Sequence, residues 1–199
     1  MVLAALNIEC RVREVKLSAK PDSLLQLSPK ATVPVLVLPC GAVLDESLEV
    51  IRWALAQHSD QFGWLETDLT HDLVGQNDGE FKRDLDHYKY PQRYEGIDAE
   101  QARLGCITFL NRVQTALLDN DWSLKKGAPD DWHLAEVLIF PFIRQCYFVA
   151  PERLEGVGLD ALLAWLASAL ESSLFTQVMV KHPFWFGEGD AETRLLGCV

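Results

Sequence analysis

The chain is 199 residues long, 49 % hydrophobic and 24 % charged, which suits a folded protein with a substantial buried core and argues against disorder. Its net charge is −11 with the basic residues scattered, so a phosphate backbone would be repelled over most of the surface and nucleic acid is not an expected partner. No apolar run approaches the roughly 20 residues needed to span a bilayer, and the opening MVLAALNIEC lacks the basic flank and cleavage site of a signal peptide, so the reading is a cytoplasmic protein with no membrane partner.

Cys10, Cys40, Cys106, Cys146 and Cys198 are an odd number of thiols at wide spacings without a C-x-x-C, which fits neither a disulfide framework nor a zinc ribbon. Cys10 falls on a strand and Cys106 and Cys146 on apolar helices, where thiols are buried and inert; Cys40 falls at a turn and is exposed. His58, His71, His87, His133 and His182 show no H-x-x-x-H or H-E-x-x-H spacing, so no metal is expected.

In chain order, Met1 to Leu6 has helical composition but no N-cap, no acidic first turn and no preceding loop, so the helix begins in its middle. Cys10 to Leu17 alternates apolar and basic residues and is read as a strand, and Pro21 to Leu27 as a short helix. In SPKATVPVLVLPCGAVLDES, Ser28 to Ser47, the β-branched run Val35 to Leu38, the turn Pro39-Cys40-Gly41 and the return Ala42 to Leu44 predict a hairpin. Pro34 stands at the first residue of that hairpin, where its missing N–H breaks no ladder and a cis bond is accommodated. Asp45-Glu46-Ser47 precedes Leu48, Val50, Ile51, Trp53, Ala54 and Leu55, an amphipathic helix whose free N–H groups suit a carboxylate. An open backbone edge beside such a helix start suits an extended peptide-like ligand, although Glu46 and Ser47 equally serve as cap and first-turn acid.

Gln57 to Trp64 is read as a linker, after which helical periodicity prevails. Thr67 or Thr70 caps a helix through Leu73, Asn77-Asp78-Gly79 interrupts it, Phe81, Leu85 and Tyr88 share a face, and Pro91 ends it. Asp98 caps a helix whose buried face is Leu104, Ile107, Phe109, Leu110, Val113, Leu117 and Leu118, closed by Asp119-Asn120-Asp121. Gly127 to Asp131 is a loop, His133 to Phe148 a core helix kinked at Pro141, and Gly158 to Leu170 and Ser172 to Met179 two further helices. Tyr88, Tyr90, Arg93 and Tyr94 are either the wall of an apolar substrate cleft or an aromatic helix end packed on its neighbour, whereas Trp132, Phe140, Phe142 and Trp165 are read as core.

TVPVL followed by DES resembles the glutathione-binding half of the thioredoxin-like domain of glutathione transferases, and FKRDLDHYKYPQRY and IFPFIRQ resemble helices of the second domain in bacterial members. The resemblance implies a thioredoxin-like α/β domain over 1–58, incomplete at its N-terminus, and an all-α helical-bundle domain over 65–199. It further implies a cis Pro34, backbone bonds from Val33 to the cysteinyl part of glutathione, and contacts from Glu46 and Ser47 to the γ-glutamyl end; Lys30 and Thr32, in the loop over the ligand, are read as solvated loop residues, with contact to the glycyl carboxylate as the alternative. Glutathione is then the co-substrate, a small electrophile or disulfide the second substrate, and a homodimer the assembly.

Three departures from the family pattern stand out. The opening strand and start of the first helix, the segment where the family carries its catalytic Cys, Ser or Tyr, are missing, so the catalytic residue is unknown; either Met1 is an internal methionine of a shortened chain, the favoured reading, or the protein genuinely lacks the segment, and such a chain would lack a central strand and lean on dimerisation. The usual loop glycine is Ala31, and Ser-Leu-Ala-Asp before the core helix is His133-Leu134-Ala135-Glu136, which leaves Asp131 as the alternative cap. The competing reading is a binding or assembly module that keeps the fold without catalysis.

Overall fold

The apolar and turn residues around Pro34 fold as the expected hairpin: β2 (Leu36–Val37) and β3 (Val43–Leu44) pair antiparallel, with Leu36 opposite Leu44 and Val37 opposite Val43. Gly41 closes the turn at φ 87°, a conformation open to glycine at no steric cost, and donates its N–H to Leu38 C=O at 2.9 Å. This computed structural model describes residues 1–57, 72–119, 132–187 and the backbone of 193–195. Two units emerge from its contacts, Met1–Trp64 with Thr176–Val199, and Leu65–Phe175.

In the first unit, α1 (Val2–Ala5) has no side-chain N-cap bond and ends at Asn7, which takes φ 55°. It packs against α3 (Ser47–Gln57), burying Val2, Ala4 and Ala5 on one side and Val50, Ile51, Ala54 and Leu55 on the other. The stripe at i, i+3 and i+4 is what an amphipathic helix buries. Between them, α2 (Asp22–Leu27) starts after Pro21 and buries Leu24.

The strand expected over Cys10 to Leu17 is shorter: β1 spans Cys10–Val12. Beyond it the chain turns, Ala19 N–H donating to Lys16 C=O at 2.8 Å, and Leu17 is exposed. The partner of β1 is β4 (Thr193–Leu195), antiparallel, with Cys10 opposite Leu195 and Val12 opposite Thr193. Glu14 also forms a parallel bridge to Phe184, Trp185 N–H donates to Glu14 C=O at 2.7 Å, and the Arg13 guanidinium lies 4.6 Å from the Trp185 ring centre. The chain after residue 65 is mostly helical, as expected, with the short strand β4 pairing back onto β1 in the first unit. Among the described residues the strands form two separate pairs, β1–β4 and β2–β3. The expected Gln57 to Trp64 linker lies outside the described residues except for Gln57, the last residue of α3.

In the second unit α4 (Asp72–Gln76) continues through a π-helical turn, Asn77–Phe81, into α5 (Lys82–Lys89). The Asn77-Asp78-Gly79 interruption is therefore a change of hydrogen-bond pattern within a continuing helix. Phe81, Leu85 and Tyr88 are buried on one face, and α5 stops before Pro91 in a single 3₁₀ turn, Pro91–Arg93. Asp98 caps α6 (Ala99–Asp119), its Oδ1 accepting from the N–H groups of Glu100 at 2.8 Å and Gln101 at 3.2 Å. The buried stripe of α6 is Ala102, Cys106, Phe109, Leu110, Val113 and Leu117. Leu104 and Leu118, expected in it, are 46 % and 58 % exposed because they fall off the i, i+3, i+4 progression.

Helix α7 (Leu134–Tyr147) is apolar nearly all round and buries Leu134 through Phe140, continuing through Pro141. His133 caps it in place of the expected serine: its Nδ1 accepts from Ala135 N–H at 3.3 Å, and Glu136 Oε2 accepts from His133 N–H at 2.8 Å. Asp131, Thr67, Thr70, Asn120, Asp121 and the Gly127 to Asp131 loop lie outside the described residues. Phe140 meets Trp132, Trp165 and Phe175 edge-on at 5.3, 6.0 and 5.0 Å, an aromatic core closed by α8 (Asp160–Glu171) and α9 (Ser173–Val178). Glu136, 5 % exposed, accepts the Trp165 indole N–H at 2.8 Å, so its burial is compensated.

Candidate functional site

The loop before the hairpin is tied to the start of α3 through Ser28 and Lys30, which contact Asp45 and Glu46. The Val33–Pro34 peptide is cis and immediately precedes β2. Val33 is 46 % exposed, and among the described residues its backbone N–H and C=O make no hydrogen bond, so both are free for an extended ligand. Thr32 and Pro34 are exposed beside it.

Glu46 and Ser47 stand at the start of α3, where Glu46 C=O accepts from Val50 N–H at 3.1 Å. Among the described residues the amides of Ser47, Leu48 and Glu49 make no hydrogen bond, the usual state of a helix first turn and a suitable environment for an anion. Both side chains are exposed.

Lys30 reaches across from the preceding loop. Its ammonium lies 2.7 Å from Glu46 Oε1 and 3.1 Å from Asp45 Oδ1. The fully buried Ser28 donates its hydroxyl to Asp45 Oδ2 at 2.9 Å. The hydrogen bonds that Lys30 donates to Glu46 and then Asp45 hold its ammonium above its ordinary pKa. Those from Lys30 and then Ser28 hold Asp45 below the ordinary carboxylate range. Ala31 takes φ 55°, so this loop adopts the left-handed backbone that a glycine would enter freely, and Ala31 N–H bonds Ser28 C=O at 2.9 Å.

Sequence reasoning named Glu46 and Ser47 but not the role of Asp45 as the anchor between Ser28 and Lys30. The only local signal was three polar or charged residues in a row, which a helix cap explains equally well. Chemically, the arrangement offers carboxylates for an ammonium, helix amides and a hydroxyl for a carboxylate, and an unpaired peptide edge alongside.

The aromatic run at the end of α5 divides between packing and a cavity wall, with Tyr90 lining a cavity of the helical unit. Tyr88 is buried, the Arg93 guanidinium lies 3.8 Å from the Tyr90 ring centre, and Tyr94 donates its hydroxyl to Asp86 while its ring meets His87 at 4.7 Å. Cys40 is exposed at the hairpin tip, Cys10 is half-buried, and Cys106 and Cys146 are buried. The Cys106 thiol is pushed up by its hydrogen bond with Cys146 and by burial, the reverse of what a reactive thiolate needs. Among the described residues no cluster of His, Cys, Asp and Glu is arranged to hold a metal, and no helix is long and apolar enough to cross a membrane.

Residues 1–62 match the family model described as the glutathione S-transferase N-terminal domain. Solved structures with the same fold include a glutathione transferase from Methylococcus capsulatus str. Bath, at 17 % identity and TM-score 0.64 over 89 % of each chain. BphK, described as a bacterial GST and solved as a ternary complex, aligns at 16 % identity and TM-score 0.60 over 83 % of each chain. The glutathione transferase URE2P6 from Phanerochaete chrysosporium, solved with oxidised glutathione, aligns at 13 % identity and TM-score 0.62, covering 78 % of this chain and 75 % of that one. No curated protein matches the chain. Residues 1–62 thus match the N-terminal domain of glutathione S-transferases, and the chain has the glutathione transferase fold.

Proposed function

We propose that the protein binds glutathione between the Val33–Pro34 edge and the start of α3 and delivers its thiol to a small electrophile or to a disulfide. The observation that carries this reading is the open cis Val33–Pro34 backbone beside Glu46 and Ser47. Val33 N–H and C=O pair with the cysteinyl backbone, Glu46 takes the γ-glutamyl ammonium, and the Ser47 hydroxyl with the α3 amides takes the γ-glutamyl carboxylate. Thr32 faces the glycyl end. The glutathione complex of URE2P6 supports glutathione as the ligand class.

In conjugation the glutathione thiolate forms an S–C bond while the leaving group departs with its electron pair and the thiol proton passes to solvent. In thiol transfer the same thiolate forms a new S–S bond and expels the other thiolate. The family resemblance implies a homodimer, which sedimentation of the purified chain measures.

Calorimetric titration with glutathione tests the site. Saturable binding that falls about tenfold or more in Glu46→Gln and Ser47→Ala supports it. Binding that is absent, or unchanged by both substitutions, overturns it. Binding without turnover of any electrophile or mixed disulfide supports the competing assembly-module reading.

A further inference from the structure

The helical unit holds a cavity of about 490 Å³ between the C-terminal ends of α5 and α7, lined by Lys89, Tyr90, Arg144, Gln145, Phe148 and Val149. Its volume is that of a small-molecule site. The chain carries a net charge of −11, yet no carboxylate lines this cavity. Most other cations of this unit, including Lys82, Arg83, Arg103, Arg112 and Arg153, are spent on ion pairs. Lys89 and Arg144 make none among the described residues. The Lys89 ammonium bonds only the neutral Gln145 Oε1, at 3.3 Å, and lies 5.0 Å from the Tyr90 ring centre.

Arg144 is held by aromatic faces rather than by acids. Its guanidinium carbon is 5.2 Å from the Phe148 ring centre and 5.3 Å from that of Phe175, and its Nε is buried with no hydrogen-bond partner among the described residues. A buried donor left unpaired is costly, and a charged donor more so. Two cations at the rim of an aromatic cavity, neither paired with an acid among the described residues, are built for an anion that carries an apolar body.

We propose that this cavity binds a small aromatic carboxylate. The carboxylate bridges the Lys89 ammonium and the Arg144 guanidinium, and the ring packs against Tyr90, Phe148 and Val149. Every lining residue comes from the helical unit, so the inference stands whether or not glutathione binds to the first unit.

The test is calorimetric titration of the full chain with 2-naphthoate and with its uncharged analogue 2-naphthylmethanol. Saturable naphthoate binding is expected, with the alcohol about tenfold or more weaker because it cannot bridge the two cations. Lys89→Gln is expected to weaken naphthoate by a similar factor and to leave the alcohol unchanged. Phe148 is 54 % exposed, so Phe148→Ser leaves the fold intact and is expected to weaken both ligands. The proposal is overturned by equal affinity for acid and alcohol, by no saturable naphthoate binding, or by wild-type binding in both variants.

Discussion

The ammonium of Lys30 sits 2.7 Å from a carboxylate oxygen of Glu46, so one positive charge already occupies the acid proposed for the ligand's ammonium. Asp45 holds the same lysine from the other side at 3.1 Å. In the proposed complex a γ-glutamyl ligand exchanges its own ammonium for that of Lys30 and frees the lysine for the glycyl carboxylate. Charge is conserved at Glu46, and the exchange is therefore inexpensive.

This relationship predicts that Lys30→Met tightens binding of γ-glutamylcysteine, which lacks the glycyl carboxylate, by about two- to fivefold at low salt, the range of an exposed ion pair. Glutathione should gain less, since it loses Lys30 as a partner for its glycine. Titrations at low and high ionic strength check both points, because the difference shrinks as salt screens the pair.

The first unit should lose stability in acid. Asp45 has a folded pKa below its unfolded value, so its contribution is present above the ordinary carboxylate pKa of about 3.9 and is lost as pH falls through the folded value. Lys30 has a raised folded pKa, so its contribution is present below about 10.4 and is lost as pH rises through the folded value. Thermal melts across pH should show both declines, and Asp45→Asn should flatten the acid limb.

His133 replaces a serine cap without abandoning the capping box. His133→Ala is expected to cost about 1 kcal/mol, the usual worth of an N-cap, while His133→Ser restores the commoner cap and stays near wild type. Denaturant midpoints of the two variants measure this directly.

Helices α5 and α6 approach closely at Gly105, where an added Cβ would lie 2.8 Å from Asp84 Cγ and 3.3 Å from Asp84 Cβ. Gly105→Ala is expected to destabilise by about 1 to 3 kcal/mol through overpacking, outweighing the gain in helix propensity. Most of that cost should vanish in an Asp84→Ala background, a coupling that a double-mutant cycle reads.

The hairpin, the Pro34 position and the helix start at Ser47 were legible because each rests on residues adjacent in sequence. The same is true of the Asp98 cap and the helix end at Pro91. The β1–β4 pair was not legible, because Thr193–Leu195 is too short for any periodicity and gains its structure from a partner near the opposite end of the chain. Leu104 and Leu118 misled for a related reason: leucine was weighed by type rather than by its angle on α6. Lys30 and Glu46 form an ion pair across a loop, and nothing in their spacing distinguishes that contact from two solvated charges.

Backbone amide NMR during a glutathione titration tests the proposed ligand exchange at Glu46 beside the open Val33 edge. Saturable shifts are expected at the amides of Val33, Ser47 and Leu48. Shifts confined to other residues, or none at these amides at saturating glutathione, would contradict it.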